Sequence, residues 1–386
     1  MRDKKLSLIF LHISYKNPAI AYNVWSRKLR ERYPYICDFT GCILHISLTG
    51  YKGRWQSHMF MYKSTGRRFF MQEKGTKNYY SEKDCMSLEG FCAYIRLGME
   101  KQLGSRYQVF VEKVYKNNIC LQGLHIIEEG SRVSPIIYLD AFYDRYRKEP
   151  ELLAKMEQDI LCFYNIHKPC GQMKVDTSSF ENWEQAKSRI CFKLINKEQN
   201  REMLARMPHF ELLDLAIVFY CLVGRNSEGQ ASVLVENGLM EYWGKSANDL
   251  YNAAKQNTPY LFPYEFGSME QVLAKEMEMP VEGLTQILPI GRSPQMYILS
   301  NNTGVNGATS ILYGGVLKSI ADRFGSDLII IPSSINEVLI LKADGEFSIS
   351  DVTEMVKEVN AEEVAPEEVL SDHAYQYVRA LDRITM

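Results

Sequence analysis

After Met86 the apolar residues fall in short runs whose period keeps changing: pairs of strand-like segments, then one amphipathic helix, then another pair. Antiparallel strands need only a tight turn between them, whereas parallel strands need a crossover of a dozen or more residues. The pattern predicts an α+β fold of two or three small mixed units built from antiparallel strand pairs and helices, and it argues against a doubly wound sheet. The first unit spans 86–170. Ser87 is placed to cap a helix whose apolar positions Leu88, Phe91, Cys92, Ile95, Met99 and Leu103 share one face, and Gly104 to end it. Alternation through Tyr107, Val109 and Val111, a turn at Asn117-Asn118 and apolar runs at 120–127 and 136–139 read as strands. Helices are expected to start at Asp140 and Pro150.

A second unit, 171–258, contains a strand at 190–195, a helix at 197–207 and a strand at 231–236. Its apolar run 212–223 fits a central strand or a buried helix equally well. Ser246 with Asp249, and again Ser268 with Gln271, resemble capping boxes. Five prolines in 259–295 mark a linker with a short helix. The last unit, 296–386, shows strands at 296–299 and 308–312 around Asn306-Gly307. A helix at 316–324, a hairpin of 328–331 with 338–341 and a helix at 351–360 follow.

Charge divides the chain at the same place. Residues 1–85 carry 16 Lys and Arg against 6 Asp and Glu, a net of +10; the other 301 carry 29 against 41, a net of −12. Arg27, Lys28, Arg30, Arg32, Arg54, Arg67 and Arg68 are interleaved with Tyr33, Tyr35, Trp55, Phe69 and Phe70, the composition that phosphate contact and base stacking require. It forms no motif, and the acidic body opposes phosphate approach, so nucleic-acid binding is not expected. The segment is expected to pack loosely, and Met86-Ser87-Leu88 reads as a natural start.

Nine cysteines, an odd number with no C-x-x-C pair, fit a reducing cytoplasm. The longest apolar run, broken by Asp214, is too short for the roughly 20 residues that span a bilayer, so no membrane association is expected. No cofactor is implied. Gly304, Gly307, Gly314, Gly315, Lys318 and Ser319 lack the order of a phosphate loop. Cys37, Cys42 and His45 lack a fourth ligand, so no metal site is expected. Ser371-Asp372-His373 has the residue types of a hydrolase triad, but a triad is assembled from separated residues and adjacent ones point apart. Asp214 in the apolar run fits a buried acid with a raised pKa, but an aspartate at the edge of a core element more often caps backbone donors or meets an arginine. His125, His167 and His209 are isolated from one another.

The segments SPIIYLDAFY (134–143), LLDLAIVFY (212–220), WGKSANDLYNAAKQNTP (243–259), GSDLIIIPSSINEVLIL (325–341) and APEEVLSD (365–372) resemble an uncharacterised domain-of-unknown-function family of anaerobic Gram-positive bacteria. The resemblance runs from Met86 to the C-terminus and implies a shared fold without a known chemistry. Segments 243–259 and 325–341 are more distantly similar to a second uncharacterised bacterial family. The functional expectation is a non-catalytic module that binds a protein or peptide through its acidic body, at stretches such as Glu362-Glu363 and Glu367-Glu368. The alternatives are a hydrolase using Ser333 or Ser334 with Glu337 at the 332–337 hairpin, and nucleic-acid binding through the basic N-terminal segment.

Overall fold

The computed structural model describes residues 85–386 apart from 132, 169–179, 227–228, 277–279, 281–294 and 346, together with the backbone of 43–50, 53–57 and 59–63. The fold is mixed α+β with three antiparallel sheets, and the chain divides into two units.

One unit contains described residues up to Arg189 and returns for Tyr220–Ser246. Its main sheet has the strand order β2-β1-β6-β5-β4, with β1 Ile43–Gly50, β2 Gly53–Ser57, β4 Tyr107–Lys116, β5 Ile119–Glu128 and β6 Val133–Tyr138. The hairpin β4–β5 closes Lys116 onto Ile119 around the expected Asn117-Asn118 turn, where Asn118 has φ 63°. Helices α1 Leu88–Leu103, α2 Asp140–Lys148 and α3 Leu153–His167 cover one face. Ser87 caps α1 by accepting from Gly90 N, and the Gly104 N–H donates to Glu100 O at its end. Phe91, Ile95 and Met99 of α1 meet Leu124, Ile126, Met156 and Ile160, all fully buried. Each such side chain contributes about 1.5–3 kcal/mol on burial. Within residues 1–85, β1 pairs with β6, and β3 Met59–Lys63 pairs with β10 Gly229–Leu234. The expected loose packing of the basic segment concerns side chains outside the described residues.

The other unit comprises described residues Ile190–Phe219 and Ala247–Met386. The apolar run 212–223 is a strand and not a helix. It is interrupted by a two-residue turn, so that β8 His209–Leu212 folds back on the start of β9 Leu215–Asn226 with Leu212 opposite Leu215. Strand β7 Ile190–Asn196 joins β9. Between β7 and β8 the expected helix 197–207 shrinks to one turn, Arg201–Leu204. Asn196 competes for the backbone there: its Oδ1 accepts from Gln199 N, and its carbonyl accepts from Asn200 Nδ2.

A six-stranded sheet, β11-β12-β14-β13-β15-β16, carries the C-terminal part. Its strands are β11 Tyr264–Ser268, β12 Tyr297–Asn301, β13 Leu328–Ser334, β14 Glu337–Lys342, β15 Tyr375–Val378 and β16 Arg383–Thr385. Strand β11 lies inside the stretch expected as linker and pairs with β12. The helix after it, Met269–Glu276, starts at a reciprocal capping box: Gln271 N donates to Ser268 Oγ, and Ser268 N to Gln271 Oε1. Ile329, Ile331, Leu339 and Leu341 pack against Val352 and Val356 of the helix Ile349–Glu362, which Ser348 caps. The helix Val316–Phe324 ends, as expected, at Gly325 with φ 69°. The segment expected as a strand at 308–312 is instead a 3-10 helix, Gly307–Leu312. Gly307 explains the difference, since a Cβ there would lie 2.0 Å from Ser300 Oγ and 2.4 Å from Asn336 O. Only glycine permits that approach of the segment to Ser300 and Asn336.

Candidate functional site

The hairpin 332–337 is a polar knot tied to the 300–310 loop. Ser334 is 4% exposed, and its Oγ accepts from Asn336 N at 3.0 Å. Asn336 in turn receives Ser300 Oγ on its carbonyl at 2.7 Å and Asn306 N on its side-chain oxygen at 3.1 Å, while Ser310 Oγ donates to Ser300 O. Ser333 Oγ reaches Glu337 Oε1 only at 3.5 Å, the weak limit of a hydrogen bond. The structure thus brings the candidates Ser333 and Glu337 together and gives Ser334 the work of closing a turn. The histidines that could serve as a base engage other groups. His167 Nδ1 lies 2.8 Å from Phe163 O, His209 Nδ1 lies 2.9 Å from Met207 O, and buried His125 has Nε2 3.1 Å from Glu112 Oε1.

His373 meets Asp214. The Leu213-Asp214 turn places this carboxylate, 16% exposed, against the segment that leads into β15. Ser371 Oγ donates to Oδ2 at 2.6 Å, Tyr375 Oη donates to Oδ1 at 2.6 Å, and His373 Nδ1 lies 3.0 Å from Oδ2. Ser371 is fully buried and Tyr375 is 1% exposed, whereas the His373 side chain is 43% exposed. Burial, and then the Asp214 charge beside it, push the Tyr375 hydroxyl far up, so it stays a donor. The surroundings are fixed as well. Lys197 N donates to Asp214 O, Asn196 Nδ2 to Leu370 O, and Asn360 Nδ2 to both Ser371 O and Asp372 Oδ1. Among the described residues Asp214 therefore holds neither an N-cap nor an arginine; it collects two hydroxyls and an imidazole.

Of the adjacent trio Ser371-Asp372-His373, the outer two converge on a distant carboxylate while Asp372 turns to Asn360. This is no serine-nucleophile triad, because the Ser371 hydroxyl is buried and donates to the acid. One signal in the sequence pointed to it: an aspartate breaking an apolar run. Its partners were out of reach of sequence reasoning, since Ser371 lies 157 positions away.

Two surface features complete the inventory. A depression of about 340 Å³ is lined by Lys197, Arg201, His209 and Glu211 among others, with Lys197 paired to Glu211 and Arg201 to Glu198. The helix Ile349–Glu362 exposes Asp351, Glu354, Glu358 and Glu362 in one stripe, with Lys357 bound to Glu354. Of the acidic stretches expected to be exposed, Glu362 is exposed while Glu363, Glu367 and Glu368 are half-buried. Among the described residues no group of three or more His, Cys, Asp or Glu is placed to hold a metal ion, and no helix is long and apolar enough to cross a membrane.

These three antiparallel sheets and their covering helices define an α+β domain class. The profile of a family described as "Family of unknown function (DUF5688)" matches residues 88–379, and the chain belongs to that family. No curated protein and no solved structure matches it.

Proposed function

We propose that the chain acts in the cytoplasm by binding a basic protein or peptide partner. The observation that carries this reading is the acidic stripe on the helix Ile349–Glu362. Asp351, Glu354, Glu358 and Glu362 follow the i, i+3, i+7, i+11 spacing of one helical face, opposite the buried Val352 and Val356. Four carboxylates against one lysine leave the face net negative, on a body whose residues after 85 sum to −12. Such a field steers a partner of opposite sign and sets its register. The odd cysteine count supports the cytoplasmic assignment.

The test is fluorescence anisotropy of a labelled Lys/Arg-rich peptide titrated with the full chain and with Asp351→Asn/Glu354→Gln/Glu358→Gln/Glu362→Gln. The expected result is about tenfold weaker binding by the variant, with the difference shrinking as salt shortens the Debye length below roughly 10 Å. Equal affinity of the two proteins would overturn the reading.

A further inference from the structure

We propose that Asp214 and His373 form a general-base pair that activates water against an uncharged carboxylic ester, a site separate from the acidic stripe. An ionised carboxylate has only acceptors, so the imidazole atom facing Asp214 Oδ2 at 3.0 Å, Nδ1, carries the ring proton. In the neutral ring the lone pair is then on Nε2, the tautomer a base needs. The His373 side chain is 43% exposed.

The carboxylate is fixed from behind by Ser371 and Tyr375, which are buried and take no part in bond making; both are positioning residues. The backbone supports the assignment independently. Leu213 stands at φ 56°, a conformation that costs a residue with a Cβ about 1–2 kcal/mol. A two-residue turn with only a connecting task normally places glycine or asparagine there. Strain of this kind gathers where a side chain must be held in place. The His373–Asp214 contact itself adds little stability, because solvent competes for a ring that is 43% exposed and keeps such contacts under about 1 kcal/mol. Its geometry suits chemistry better than cohesion.

The step balances with water and ester alone. Nε2 takes a proton from water as the oxygen bonds to the carbonyl carbon and the C=O electron pair moves to oxygen. The tetrahedral intermediate collapses, the bond to the alcohol oxygen breaks, and the Nε2 proton passes to that oxygen, leaving acid, alcohol and a neutral ring. The Asp214 carboxylate at the ring repels anions, which sets the preference for an uncharged substrate.

The test is hydrolysis of p-nitrophenyl acetate by the full chain, with His373→Gln, Asp214→Asn and Ser334→Ala as variants and circular dichroism melts as the folding control. His373→Gln is expected to lower kcat/KM about 100-fold. Asp214→Asn is expected to lower kcat with KM unchanged, which a merely structural defect would not do, and Ser334→Ala to leave both unchanged. Equal rates for the wild type and folded His373→Gln would overturn the proposal, as would an Asp214→Asn loss confined to KM.

Discussion

The hairpin 332–337 and the segment 371–375 both present serines, yet they use them differently. At the hairpin Ser334, Asn336, Ser300, Asn306 and Ser310 close on one another. At 371–375 the hydroxyls of Ser371 and Tyr375 are equally buried, but they hold a carboxylate whose last ligand, His373, reaches the surface. Burial of a hydrogen-bonded network specifies a fold; one exposed member turns the network into a support for something outside it.

The contrast is broken most severely at Gly307. Gly307→Ala forces a Cβ into Ser300 and Asn336 and is expected to cost about 3 kcal/mol or more in urea-induced unfolding. At the other region, Asp214→Ala strands two buried hydroxyls and is expected to cost about 2–3 kcal/mol by the same measurement. If Asp214→Ala proved neutral, the carboxylate would not be the hub of its cluster. Ser334→Ala removes one turn-closing acceptor and should cost about 1 kcal/mol.

These differences bear on what the sequence could disclose. Local signals were legible because capping chemistry acts within a few residues: Ser87 with Gly104, the Ser268–Gln271 box and Gly325 all act where expected. The same logic failed at 197–207, where Asn196 diverted the backbone, and at 308–312, where the missing Cβ of Gly307 served a close approach and not a hairpin. The run 212–223 was ambiguous by periodicity, and the Leu213-Asp214 turn that splits it carries no glycine to announce itself. The hub at Asp214 was visible only as an acid in an apolar run. Sequence spacing cannot show that residues 157 to 161 positions away close on it.

Smaller effects sharpen the comparison. Tyr375 has its folded-state pKa raised above the ordinary value of 10.0, so its contribution to stability is full below about pH 10 and is lost as the pH climbs beyond it. Tyr375→Phe should therefore flatten the alkaline limb of a stability–pH curve measured by urea denaturation, while leaving its neutral and acid portions parallel to wild type. An unchanged alkaline slope would show that other buried tyrosines dominate it, such as Tyr164, whose hydroxyl burial pushes up to about 12. His373→Gln is expected to change stability least, by under about 0.5 kcal/mol, since the ring is half-exposed.

The distinction between the two regions rests on the tautomer of His373, and two-dimensional 15N–1H NMR of the imidazole in the full chain at neutral pH measures it directly. The geometry requires a protonated Nδ1 donating to Asp214 and a bare Nε2, with the pattern lost in Asp214→Asn. A ring protonated on Nε2 and bare on Nδ1 would contradict the pairing and leave the 371–375 segment as scaffold, like the hairpin.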